Sequence, residues 1–213
     1  MNQNTQLKKA IRLAHRYHCG QKRKTGEEYI LHPLRVMSIL MNSGFHNEVD
    51  ILVSAVLHDI CEDTLATNVQ IQQIFGQRVG FIVNALSKNK KPQIHQLEKE
   101  FHTEEKPFKS FEDFFNARLL MYTHRLYRGI MADPYIMFIK LADQIDNVHS
   151  IYIFPKKKQK RIIAEIERFF IPMYIQTKEM LYYEDKKHCE ALLLHLKKQI
   201  QSYKNMLYAV QKN

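Results

Sequence analysis

Glycine and proline are scarce in this sequence, six of each among 213 residues, and several segments show helical periodicity. An all-α fold is the first expectation. Cysteine is scarce too. Cys19, Cys61 and Cys189 are odd in number and scattered, with no CxxC pair. That argues against a disulfide framework and for a reducing compartment. No apolar run approaches the roughly 18 residues that span a bilayer. The N-terminal MNQNTQLKKAIRLAHRYH lacks the apolar centre of a signal peptide, so the expected location is the cytoplasm.

Positive charge, by contrast, is abundant: the formal net charge is +10. Such a chain favours polyanions, whether nucleic acid, an anionic membrane or a multiply phosphorylated small molecule, and composition does not choose among them. The length suits one domain, or one domain with a small appendage.

The chain reads as a succession of helices. Leu7, Ile11, Ala14 and His18 share a face, with Gly20 as a stop. Pro33 suits the first turn of a helix that Gly44 ends. A third helix is expected over roughly 48–62. Thr67 is placed to cap a short helix ending near Gly76, and FIVNAL continues the bundle. Residues 88–110 are charged and weakly periodic, and read as a surface loop. Helical pattern returns over 111–131. Asp133 and Pro134 then look like the cap and first residue of PYIMFIKLADQIDNVHSI. KKKQKR, read as solvated surface, precedes IIAEIERFFIPMYIQTKEML, where Pro172 should kink or end the helix. A last amphipathic helix is expected over about 185–210.

The segment LHDICEDT concentrates the chemistry. On a continuous helix His58 lies one turn from Glu62, and Asp59 one turn from Asp63. Burying that much negative charge is costly without a cation or hydrogen-bonding partners. His32 precedes Pro33 at a helix start, and Asp143 sits in the mostly apolar FIKLADQIDN. Together with His58 and Asp59 they make a two-His, two-Asp set suited to Mn²⁺, Fe²⁺ or Zn²⁺. Taken singly, His32 reads equally as a capping or packed histidine and Asp143 as a buried ion-pair member. His18 reads as packing or hydrogen bonding, and nothing marks Cys61 as a nucleophile.

Four ordered blocks, GQKRKTGEEYILHP, AVLHDICEDT, FGQRV and KLADQIDN, resemble the motifs of the HD hydrolase domain of the RelA/SpoT family. The likeness covers about residues 5–175. It implies a single-domain HD-type helical bundle at 1–180, with 181–213 as a C-terminal helix packing on or extending it. It also implies hydrolysis of the 3′-pyrophosphate of (p)ppGpp and a Mn²⁺ ion, or another divalent metal, held by His32, His58, Asp59 and Asp143. The catalytic acidic pair maps onto Glu62 and Asp63. Guanosine-nucleotide contacts map onto Arg23, Lys24, Thr25, Asn147 and Ser150.

Two positions depart from the usual KLADRLHN: Gln144 replaces the common arginine, and Asp146 the common histidine. Losing a cation and gaining an acid should weaken attraction for pyrophosphate in that sector. Residues 148–213 read as helices, too few for the synthetase domain of bifunctional members, so a hydrolase without synthetase is the expectation. The alternatives are an HD phosphohydrolase acting on another nucleotide and a non-catalytic alarmone- or RNA-binding module. The retained acidic pair argues against the second, and nucleic acid is not the expected partner.

Overall fold

In a computed structural model, residues 3–88 and 111–210 are described, and the periodic segments form helices. They run α1 (Gln3–Tyr17), α2 (Leu31–Leu40), α3 (Val49–Leu57), α4 (Ile60–Asp63), α5 (Asn68–Phe75) and α6 (Gln77–Leu86). After residue 110 come α7 (Phe111–Ala132), α8 (Tyr135–His149), α9 (Lys156–Glu165), α10 (Ile171–Thr177) and α11 (Tyr183–Val210). Among the described residues the only β pairing is one antiparallel bridge, Lys22 to Glu28. The basic loop, beyond Lys88, lies outside the described residues.

Helix α8 is the axis of the bundle. Nearly every residue from Ile136 to Val148 is buried, because α2, α3, α6, α7 and α11 pack around it. A helix hydrophobic on one face alone would sit at the surface. Here Phe138, Leu141 and Ile145 meet neighbours on opposite sides. A second apolar cluster lies between α1, α3, α5 and α6, built on Ala10, Ala14, Val53, Leu57, Ile71 and Val83. Helix α3 joins the two clusters, and its residues Ile51 to Leu57 are all buried.

Local signals explain most boundaries. Thr67 accepts from the Gln70 N–H while the Gln70 side chain accepts from the Thr67 N–H, a complete capping box for α5. Asp133 accepts from the Tyr135 N–H at 3.2 Å, capping the turn that Pro134 opens. Three expectations need correction. The helix over 48–62 is not continuous: it breaks at His58 and Asp59, where Asp59 has φ −98° and ψ −6°, and resumes as α4. KKKQKR does not precede a helix but forms the first turns of α9. Buried Gln159 anchors those turns, donating to the carbonyls of Tyr152 and Phe154 and accepting from the Tyr203 hydroxyl. Pro172 neither kinks nor ends a single α-helix cleanly. A wider π-type turn over Ile166–Phe170 takes up its missing N–H before α10 continues.

Helix α11 lays Cys189, Leu192, Leu196 and Ile200 against the α8 core. Its His188 also covers the end of α2. Gly44 has φ +100°, and a Cβ there would fall 2.6 Å from His188 Cε1. Gly44→Ala should therefore destabilise the protein by ~2 kcal/mol, or roughly 4–8 °C of Tm. Thermal unfolding followed by circular dichroism checks this, and an unchanged Tm would contradict it.

Candidate metal centre

The break between α3 and α4 makes the centre. Neighbours on a regular helix point about 100° apart, whereas the tight turn aims both His58 and Asp59 inward. His58 Nδ1 lies 2.8 Å from the Ala55 carbonyl, which only accepts, so Nδ1 carries the proton. Nε2 is left with a bare lone pair, buried and without a hydrogen-bond partner. His32, in the first turn of α2, is set the same way. Its Nδ1 donates to Asp146 Oδ2 at 2.7 Å, and its Nε2 faces Asp143 Oδ1 at 3.2 Å and Asp59 Oδ2 at 3.4 Å.

His58 Nε2 lies 3.1 Å from the same Asp59 oxygen and 3.6 Å from the same Asp143 oxygen. One ligand atom from each of His32, His58 and Asp143 falls within 4.8 Å of the others, and Asp59 closes the set. Two lone pairs and two carboxylate oxygens facing one another are all acceptors, and only a cation or added protons reconcile them. Burial favours the neutral His32 ring, yet Asp143, Asp146 and Asp59 outweigh it and raise its pKa to about 9. The same contest holds His58 well above its ordinary value. Nitrogen and oxygen donors without thiolate suit a divalent metal.

The acidic pair stands beside this set on α4. Glu62 Oε2 accepts the Lys88 backbone N–H at 2.9 Å. Asp63 lies 2.5 Å from the Tyr29 hydroxyl, which is also 2.8 Å from Asp59 Oδ2, so one proton serves two carboxylates. Burial, with help from the Asp59 charge, pushes both Glu62 and Asp63 above the usual carboxylate range. Tyr29 is held by stacking on His18 at 4.6 Å. His18 in turn bonds Gln21 at 2.8 Å, a positioning part that fits its expected packing role.

Helix α8 supplies the rest. Lys140 Nζ lies 2.5 Å from Asp143 Oδ2, and Asn147 Nδ2 donates to Asp143 Oδ1 at 2.6 Å. Arg23 donates to Asp146 at 2.8 Å and to Asn147 at 2.6 Å, pinning the loop to the helix. Lys24 lines the cleft along with Arg23, Asn147, Glu62, Asp63 and the metal set, around a space of about 290 Å³. Thr25 is exposed, and Ser150 is buried with its hydroxyl on carbonyls of its own helix, so neither lines this cleft.

The expected weakening at Asp146 also needs revision. Its carboxylate is engaged by His32, by Arg23 and by Arg35 at 2.5 Å, and is not presented to the cleft. Gln144 instead accepts the Tyr174 hydroxyl at 2.9 Å. Sequence reasoning passed over Lys140, Tyr29 and Arg35. The available signal for Lys140 was a lysine inside an apolar run, three residues before Asp143.

Among the described residues no helix is long and apolar enough to cross a membrane. Residues 10–174 match the HD domain family. The guanosine-3′,5′-bis(diphosphate) 3′-pyrophosphohydrolase of Aquifex aeolicus is 33% identical over 168 residues, 79% of this chain and 21% of that protein. The GTP pyrophosphokinase rsh of Brucella ovis is 32% identical over 167 residues, 78% of this chain and 20% of its own length. The chain thus spans about a fifth of the length of these relatives. A solved structure described as "A metazoan ortholog of SpoT hydrolyzes ppGpp and plays a role in starvation responses" shares the fold, at TM-score 0.66 and 17% identity, covering 93% of this chain and 95% of that one. With the motifs, the fold and the clustered histidines and aspartates in agreement, the chain belongs to the HD domain family, as a hydrolase domain of the RelA/SpoT type.

Proposed function

We propose that this protein hydrolyses the 3′-pyrophosphate of (p)ppGpp, giving GDP or GTP and pyrophosphate, with Mn²⁺ at the centre. The observation that supports it most is the convergence of the His32 and His58 Nε2 atoms on Asp59 and Asp143, beside an acidic pair in the same cleft. The Aquifex relative, whose name states this reaction, supports the choice of substrate. In this reading residues 1–180 form the hydrolase domain and 181–213 its C-terminal extension.

His32, His58, Asp59 and Asp143 hold the cation, which when bound supplies Lewis acidity to a phosphate ester. The chain's own groups do the remainder. Glu62 and Asp63, with affinities for protons raised by burial, take the proton of the attacking water. The water oxygen forms a bond to phosphorus as the bond from phosphorus to the 3′-oxygen breaks, and the proton returns to that departing oxygen. Arg23 and Lys24 face the nucleotide from the loop, and Asn147 steadies both Asp143 and Arg23. Asp146 acts through His32, fixing the tautomer whose Nε2 lone pair meets the metal.

Three outcomes are expected. Purified protein with Mn²⁺ releases pyrophosphate from ppGpp, and chelation abolishes this until Mn²⁺ is restored. Turnover of another nucleotide in place of ppGpp, or alarmone binding without turnover, sinks the proposal. Asp59→Ala loses both metal and activity, while Glu62→Ala keeps metal and loses about 10²–10⁴-fold in kcat. Elemental analysis beside the pyrophosphate assay reads both, and equal activity in either variant contradicts the assignment. Asp146→Asn weakens Mn²⁺ affinity about 10- to 100-fold, measurable by calorimetric titration, and unchanged affinity would show that His32 is held without it.

A further inference from the structure

A second cavity opens beside the metal cleft, between α7, α8 and α9, and at about 620 Å³ it is the larger of the two. The two spaces share Lys88, Asp143, Asn147 and Phe154 along their common border. Its walls are cationic. On α7, Arg118, Tyr122 and Arg125 recur at spacings of four and three, which places them on one helix face. From α9, Lys158 and Arg161 line the opposite wall. Lys140, only 7% exposed, forms the floor, with Nζ 5.6 Å from the Tyr122 ring centre and 5.8 Å from that of Phe170.

The carboxylates lining this space are Asp143 and Glu165. Asp143 is engaged by Lys140 and both imidazoles, and Glu165 lies 3.3 Å from Arg161. Like charges gathered around a partly enclosed space repel, and an anionic guest relieves that repulsion. Apolar and aromatic side chains complete the wall, so each guest contact is made away from bulk water, where charge-assisted hydrogen bonds are strongest. The volume falls in the range of small-molecule sites.

We propose that this chamber seats one diphosphate arm of the substrate while the scissile ester lies at the metal. The inference rests on the proposed hydrolysis of a nucleotide phosphorylated at two positions. The leaving 3′ arm and the retained 5′ arm share the chemistry the chamber recognises, and the products of the reaction separate them. Pyrophosphate carries the first and GDP the second.

Arg118→Gln and Arg161→Gln, on opposite walls, are made singly and together, with Arg16→Gln on the exposed face of α1 as the control. Manganese-loaded proteins are titrated calorimetrically with pyrophosphate and with GDP, and melting curves confirm folding. Each substitution is expected to weaken one of the two products about tenfold or more, with less effect in high salt, and the control to leave both unchanged. A loss for pyrophosphate assigns the chamber to the leaving arm, and a loss for GDP assigns it to the retained arm. Should the double variant not fold, Lys158→Gln with either single variant decides. Product affinities equal to wild type, equal weakening by Arg16→Gln, or no binding to wild type overturns the proposal. Because the titration needs no turnover, a protein that leaves ppGpp intact yet loses product affinity in these variants refutes the proposed reaction while the chamber stands.

Discussion

Helix α8 is enclosed on all sides, so every polar group it carries has to find its partner inside the protein. Lys140, Asp143, Gln144 and Asp146 fall within two turns of that helix and are all buried. Each is answered from a different direction. Asp143 turns to the histidines and Lys140, Gln144 to Tyr174, and Asp146 to His32 and two arginines. An unpaired member would carry the full penalty of a desolvated charge. The placing of α2, the loop at 18–30, α7 and α10 around α8 is therefore an electrostatic arrangement as much as an apolar one.

That arrangement separates charge by sign. Carboxylates gather where α3 breaks, against the imidazole lone pairs, and cations gather a few residues away between α7 and α9. Such a gradient suits a substrate that is itself multiply anionic but needs its reacting ester beside a metal. The change from the family's usual KLADRLHN fits within it. Gln144 removes a cation from the helix, while Arg118, Arg125 and Arg161 supply positive charge from the walls opposite.

Much of this was legible in the sequence because the signals were local. Thr67 with Gln70, Asp133 with Pro134, and Gly44 are boundary marks whose physics acts within a few residues. His32, His58, Asp59 and Asp143 stood out as polar groups in apolar surroundings. The interruption at His58 and Asp59 did not, because hydrophobic periodicity runs through it undisturbed from Ile51 to Ile60. Asp146 was misjudged for the opposite reason. Its sign was plain, but the arginines that absorb it lie 123 and 111 positions away in the chain, a distance no local pattern spans. Lys140 was passed over since lysines usually reach solvent along their stems, and only the closed packing of α8 prevents that here.

The loop at 18–30 is a surface segment fastened mainly through charge and hydrogen bonds. Ile30 aside, its inward ties are polar: Arg23 to Asp146 and Asn147, Gln21 to the Asp63 carbonyl, Tyr29 to Asp59 and Asp63. Its folding free energy is thus drawn largely from the same ions that make the centre. By thermodynamic linkage, whatever changes the charge inside the centre changes how firmly this loop is held. The segment that faces the nucleotide doubles as a gauge of what occupies the site.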